Sequence, residues 1–470
     1  MRFLCLLCDN KEKTRDKGRI HIETRKARFH LTSAQVIIAG FLSVILLGAL
    51  LLSLPCATRS GERAPLLDAL FTSTSAVCVT GLVVRNTATY WSLFGQAVIL
   101  ALIQIGGMGV VTLAVTITMI SGRKIGLMQR STLQEAISAH HVGGIVKLTG
   151  FILRTTLLFE LAGAALLSVA FCREFGPARG LWYGLFHSVS AFCNAGFDLL
   201  GDPTPYASLT AYTDRPLINL TVMALIVIGG IGFLTWEDVG TNRLHLHAYR
   251  MQSKVILTCA AVLIALPAAY LYVFELSQGA MADMPAGKRA LAALFQSVTT
   301  RTAGFNTIDL TALSETGQSV MILLMLIGGA PGSTAGGMKT TTAAVLLLTS
   351  AAVFRRHETI RCFGRRIEES VVRDAVSILL MVLLLFFFGA LAISHLEGLP
   401  MLACLFETAS AIGTVGLTLG LTPGLCTASR LILMALMFFG RVGGLTLIFA
   451  AFSGTQHYAA RLPREKITVG

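Results

Sequence analysis

Four short segments, each opened by Leu-Phe and closed around a glycine, recur along this chain about 110 residues apart. They are LFTSTSAVCVTGL (Leu70–Leu82), LFHSVSAFCNAGF (Leu185–Phe197), LFQSVTTRTAGF (Leu294–Phe305) and LFETASAIGTVGL (Leu405–Leu417), and they align on Gly81, Gly196, Gly304 and Gly416. An apolar stretch precedes each one and another follows. The following stretch carries a second glycine cluster: QIGGMG from Gln104, VIGGIG from Val227, LIGGAPG from Leu326 and FFGRVGG from Phe438. Four copies of one supersecondary unit bury their faces against one another, and the simplest closed arrangement is pseudo-symmetry about a central axis.

The solvent for this repeat is set by composition. Of 470 residues, 54% are hydrophobic and 13% charged, where soluble proteins approach a quarter charged. The chain is therefore expected to be an all-α polytopic membrane protein. First helices are expected at Ser33–Leu54, Val146–Phe171, Lys254–Phe274 and Val371–Ile393, each near the ~20 residues that cross a bilayer core. Second helices are expected at Ser92–Ile120, Leu217–Trp236, Val320–Phe354 and Arg430–Phe452, which makes eight transmembrane helices.

The net charge of +13 is unevenly spread. Basic residues crowd the N-terminal segment (Lys11 to Arg28) and the junctions after each repeat: Arg123, Lys124 and Arg130; Arg243, Arg250 and Lys254; Arg355, Arg356, Arg361, Arg365 and Arg366; Arg461, Arg464 and Lys466. The positive-inside bias puts these segments and both termini in the cytoplasm. Topology thus accounts for the charge without nucleic acid. The ten cysteines form no disulfide framework, and the CxxC of Cys5 and Cys8 has no second pair at metal-ligand spacing. Phe3–Leu7 is too short for a signal-peptide core, so the N-terminus is expected to be retained.

Between the first and second helices lie Leu66–Ala76, Leu181–Ala191, Ala290–Thr299 and Met401–Ala411, too short to span and too apolar for surface loops. They fit re-entrant pore helices. Each returns through the membrane as irregular backbone, tolerated only where protein or a water-filled cavity surrounds it. Four returning glycine loops about one axis present rings of carbonyl oxygens able to replace the hydration shell of a monovalent cation. Helix C-termini aimed at that axis add partial negative charge.

At these residues a family resemblance becomes specific. Helix, pore helix, glycine loop, helix, four times in one polypeptide, resembles the Trk/Ktr/HKT superfamily of potassium transporters, and within it the KtrB branch, because spanning helices begin directly with the first repeat. SAVCVTGL, SAFCNAGF, TTRTAGFNT, GSTAGGMKTTT, GRVGGLT and the terminal EKITVG carry the likeness. The resemblance implies a potassium-binding filter made by carbonyls of Cys78, Val79, Thr80 and Gly81, of Cys193, Asn194, Ala195 and Gly196, of Thr302, Ala303 and Gly304, and of Gly413, Thr414, Val415 and Gly416. It implies potassium preference, since Gly81 stands where the sodium-selective plant branch has serine. Repetition is imperfect in the third loop: Phe71, Phe186 and Phe406 lie ten positions before their glycines, Phe295 only nine, and Arg301 takes the place of Phe192, Cys193 or Gly413.

Gly328–Lys339 (GGAPGSTAGGMK) should unwind the second helix of repeat three, because Pro331 removes a donor and the glycines weaken helicity. In the family the matching stretch is an intramembrane gate, a role the resemblance carries to Gly332, Ser333, Thr334, Ala335, Gly336, Gly337 and Lys339. Met338 breaks the GK[ST] requirement of a phosphate loop. Arg441 stands where the other repeats have Gly107, Gly230 and Gly329; the resemblance makes it a cationic barrier near the axis, with Glu407 or Glu160 as alternative salt-bridge partners. Asp68 is expected to cap the first pore helix. His187, Gln296 and Glu407 share the position after the leading Phe and should anchor their helices. Glu237 and Asp238 are expected on a solvated face.

Domain boundaries follow: 1–30 a basic cytoplasmic segment, 31–130 repeat 1, 131–250 repeat 2, 251–366 repeat 3 with the gate loop, 367–458 repeat 4, and 459–470 a cytoplasmic tail. The absence of HExxH, GxSxG and aspartyl-phosphate motifs argues against an enzyme. The resemblance implies potassium as permeant, sodium stimulation, no organic cofactor, a homodimer in the bacterial plasma (inner) membrane, and a separate cytoplasmic KtrA/TrkA-type nucleotide-binding ring. The alternative is a sodium-permeable or ion-coupled cation transporter.

Overall fold

The structure, a computed structural model, describes residues 32–121, 126–136, 145–201, 206–243, 245–278, 281–444 and 446. The basic N-terminal segment, Cys5, Cys8, Arg123, Lys124 and the EKITVG tail lie outside the described residues. The helices in chain order are α1 (Ser33–Leu52), α2 (Leu66–Val77), α3 (Thr87–Tyr90), α4 (Leu93–Met108), α5 (Val110–Ile120), α6 (Leu127–Ala136), α7 (Ile145–Phe175), α8 (Pro177–Phe192) and α9 (Pro216–Gly230). They continue as α10 (Phe233–Asn242), α11 (Met251–Tyr270), α12 (Ala286–Thr299), α13 (Glu315–Leu326), α14 (Thr340–Phe354), α15 (Glu369–Glu397), α16 (Met401–Gly413) and α17 (Thr427–Val442). A basic hairpin, β1 (Arg361–Cys362) and β2 (Arg365–Arg366), joins α14 to α15.

Long apolar helices α1, α7, α11 and α15 each precede a short helix, α2, α8, α12 or α16, that packs back against it. Polar side chains make that packing specific. Ser73 donates to the Ile45 carbonyl at 2.7 Å, Ser188 to Glu160 at 2.6 Å and Ser297 to Ile264 at 2.7 Å. In the fourth unit Thr408 bonds within its own helix, to Cys404 at 2.9 Å, and packs its methyl toward Gly389. Small residues at such crossings let backbones approach where no water drives helices together.

The third unit carries Pro267 inside α11. Proline has no N–H, so the carbonyl of Leu263 loses its helical donor; the Ser297 hydroxyl sits 3.3 Å from it. Ser297→Ala should therefore lower stability by about 1–2 kcal/mol, the penalty of an unmade buried hydrogen bond. Adding Pro267→Ala should recover part of the loss, and thermal melting of the single and double variants in detergent checks the pair.

The second helices differ from the continuous spans expected of them. α4 and α5 meet at 94°, and α9 and α10 at 97°. The breaks fall on Gly109 (φ 85°, ψ 134°) and Gly232 (φ 89°, ψ 141°), and α17 ends the same way at Gly443 (φ 88°, ψ 135°). Residues with a Cβ avoid that conformation. In the third unit the interruption is longer, the helix unwinding between Leu326 and Thr340. Among the described residues, four helices are long and apolar enough to cross a membrane, or up to six if each bent pair is one span. Exposed Leu158, Leu266, Leu347, Phe354 and Phe388 give the exterior an apolar coat.

Candidate functional site

Each short helix delivers its C-terminus to a loop that is buried apart from the part-exposed Gly81. Thr80 N donates to the Ser75 carbonyl at 2.8 Å, Ala195 N to Ser190 at 2.8 Å and Val415 N to Ser410 at 2.8 Å. In the third loop Ala303 N reaches Thr299 at 3.0 Å, a turn one residue shorter, which is how the structure absorbs the missing residue before Gly304. The hydroxyls at the same positions lace the loops to their helices. Ser75 and Ser410 accept from Gly81 N (3.1 Å) and Gly416 N (3.0 Å), while Ser190 and Thr299 donate to the Phe197 (2.7 Å) and Phe305 (2.5 Å) carbonyls.

The four glycines form a closed ring. A Cβ built on Gly81 would lie 3.2 Å from Gly196 Cα, one on Gly196 2.9 Å from Gly304 Cα, one on Gly304 3.3 Å from Gly416 Cα, and one on Gly416 3.0 Å from Gly81 Cα. The nearest oxygen is in each case the carbonyl before the next glycine, that of Ala195, Ala303, Val415 or Thr80. Among the described residues none of these four carbonyls accepts a protein hydrogen bond. Buried unpaired carbonyls ask for a ligand, and a ring of them fits a desolvated cation. Two residues before each glycine, Val79, Asn194, Thr302 and Thr414 all adopt positive φ, between 50° and 68°. No composition signal foretells this, since only the ring geometry demands it.

The segment between α13 and α14 touches the second and fourth units. Ala330 N and Thr334 N donate to Gly230 (2.9 Å) and Gly229 (3.2 Å), Gly337 N to Gly440 (3.0 Å), and Phe233 N to Gly332 (2.8 Å). Thr334 Oγ1 reaches the Phe192 carbonyl at the end of α8 at 2.9 Å, and Gly336 and Gly337 lie against Thr414 and Gly413 of the fourth loop. Lys339 folds its Nζ onto the Ala335 carbonyl at 2.9 Å. Ser333 bonds Ala330 at 2.7 Å. A cavity of about 270 Å³ adjoins this segment, lined in part by Gly107, Ser333, Lys339, Arg441, Phe41 and Leu385.

Arg441 crosses this segment. Its guanidinium donates to the carbonyls of Thr334 and Gly106, and to Gly107 at 3.1 Å. Neither carboxylate expected as a partner is used. Glu160 accepts from Gln104 at 3.3 Å, and Glu407 accepts from Thr418, from Leu419 N at 3.2 Å and from Thr422 at 2.7 Å. Among the described ion pairs none includes Arg441 or Lys339.

The anchoring expected of the post-Phe position holds for two units: His187 takes Tyr183 O (2.7 Å) and Leu199 N (3.3 Å), and Glu407 ties the segment after Gly416. Gln296, the third, has both amide atoms buried without a hydrogen-bond partner. Asp238 is buried, bonded to Ser253 at 2.5 Å and Arg250 N at 3.1 Å, rather than solvated. Nor does Asp68 cap its helix. It is buried and holds Arg85 at 2.7 Å and Arg430, from α17, at 2.9 Å, which fastens the first unit to the fourth. Asp68→Ala should lower stability by about 3 kcal/mol because it strands the mostly buried Arg430, whereas Arg85→Ala should cost less than about 1 kcal/mol, that arginine being half exposed. Detergent melting curves compare them.

An apolar exterior around a buried ring of unpaired carbonyls defines a class, the membrane proteins that carry cations. The TrkH model, described as a cation transport protein, matches residues 21–456, and the chain belongs to that family, a family of transporters and not of enzymes. It is similar to the potassium/sodium uptake protein NtpJ of Enterococcus hirae, 39% identical over 455 residues that cover 96% of this chain and 100% of that one. It is also similar to Ktr system potassium uptake protein B of Bacillus subtilis, 39% identical over 444 residues, 93% of this chain and 97% of the relative. The crystal structure of the potassium transporter TrkH from Vibrio parahaemolyticus shares the fold, with a TM-score of 0.68 at 22% identity over 90% of this chain and 86% of that one.

Proposed function

We propose that this chain is the ion-translocating subunit of a potassium uptake system of the Ktr/Trk type. Four pseudo-symmetric units enclose one pore, each bent or broken second helix being counted as one of eight spans. The closed ring of Gly81, Gly196, Gly304 and Gly416, with its unpaired buried carbonyls, is the observation that carries this. The loops Cys78–Gly81, Cys193–Gly196, Thr302–Gly304 and Gly413–Gly416 are the filter. The segment Gly332–Lys339, braced by Arg441, is the gate. Names borne by the relatives, potassium uptake protein and potassium/sodium uptake protein, support potassium as the permeant.

The chain works as a homodimer in the bacterial plasma membrane with both termini cytoplasmic, under a KtrA/TrkA-type nucleotide-binding ring, with sodium as an activator. Purified protein in liposomes should conduct potassium in preference to sodium, and more so when that ring is added. Flux of sodium equal to that of potassium, with and without the ring, would favour the sodium-permeable alternative.

A further inference from the structure

The ring is closed but it is not electrically symmetric. Two residues before each of the four free carbonyls, the aligned positions are Cys78, Cys193, Arg301 and Gly413. Arg301 is 6% exposed. Its Nη1 lies 3.4 Å from the Ala260 carbonyl on α11, its Nε is buried with no hydrogen-bond partner, and no described ion pair includes it. Its own carbonyl accepts from Asn194 Nδ2 at 3.2 Å, and the same amide donates to Thr302 Oγ1 at 3.2 Å. One quadrant at this level therefore differs twice over. Its carbonyl is already engaged by an amide hydrogen, and an uncompensated guanidinium stands a side chain's length behind it.

We propose that Arg301 is a specificity-determining residue that weakens the innermost cation position of the ring, at the level of the Cys78, Cys193, Arg301 and Gly413 carbonyls, and biases that position against divalent ions. This rests on the ring being the ion filter. Coulomb repulsion is proportional to the charge of the ion, so a fixed positive charge opposes a divalent cation twice as strongly, in free energy, as a monovalent one. At an effective dielectric constant near 20, a charge ~10 Å away changes monovalent occupancy about tenfold, and divalent occupancy by the square of that. A position so weakened empties readily, which favours throughput over retention.

Equilibrium binding of K⁺ and Ba²⁺ to the purified full chain tests this, with Arg301→Met and Arg301→Gln removing the charge and Arg301→Lys keeping it. Two neutral variants guard against one that fails to fold. The expected result is K⁺ binding about tenfold tighter and Ba²⁺ binding about a hundredfold tighter in both neutral variants, with no such dependence on ion charge in Arg301→Lys. A merely structural role would shift both ions by one common factor, or by none, and either result overturns the proposal. Failure of the wild-type chain to bind either ion would instead overturn the filter assignment on which it stands.

Discussion

Gly81→Ser is expected to cut potassium flux at least about tenfold and to erase most of the preference over sodium. The backbone at Gly81 sits at φ 91°, where a side chain is strained, and a Cβ there would lie 2.5 Å from the Ala195 carbonyl oxygen and 3.2 Å from Gly196 Cα. Both neighbours are backbone of the next loop, so neither can swing aside as a flexible side chain would. The loops must separate, and carbonyls spaced for one ion no longer match it. Because the ring is closed, Gly196→Ser, Gly304→Ser and Gly416→Ser should do the same through their own neighbours. Parallel potassium and sodium fluxes in liposomes measure it, and unchanged selectivity across all four would end the filter assignment.

Arg441→Ala should act in the opposite direction, raising potassium flux about tenfold in the absence of any regulatory ring. Two effects add. The side chain ties Thr334 of the intramembrane segment to Gly106 and Gly107 of α4, so its loss frees that segment from the first unit. It also removes a partly buried positive charge that no described ion pair includes. Repulsion of about 1–2 kcal/mol, for a charge ~10 Å from the ion at an effective dielectric constant near 20, corresponds to roughly tenfold in rate. Arg441→Lys separates the two, keeping the charge while losing the fork that bridges three carbonyls. Flux like wild type would assign the effect to charge; flux like Arg441→Ala would assign it to the brace. No change in either variant, with folded protein, removes Arg441 from the gate.

Much of this was legible in the chain because membrane solvent leaves few options. The short helices begin or end within a few residues of where their apolar content and length place them: Leu66–Ala76 against Leu66–Val77, and Met401–Ala411 against Met401–Gly413. The unwinding around Pro331 was legible for the same kind of local reason, a missing donor among glycines. The bends at Gly109 and Gly232 were not. A glycine is compatible with straight helix or with φ near 85–89°, and the choice is made by what the following segment packs against.

Polar partners were the least legible. Asp68 reads locally as a cap, and only the folded chain brings it to Arg430, 362 positions away in sequence. The salt-bridge alternative for Arg441 could not be decided from the chain: the guanidinium finds carbonyls freed where helices end and unwind, while Glu160 and Glu407 are satisfied by Gln104 and by Thr418 and Thr422. The third loop shows both sides at once. Its missing residue is visible in the spacing from Phe295 to Gly304, but the contact of Asn194 with Arg301 arises only when two loops 107 positions apart close one ring.

The sequence by itself determined the medium, the repeating unit and the four glycines, because hydrophobicity, length and the lack of a Cβ are properties of residues. Tertiary structure alone decided which carbonyls stay unpaired, which arginines go without a carboxylate, and where the helices bend. Those depend on distances between units that the covalent chain does not set.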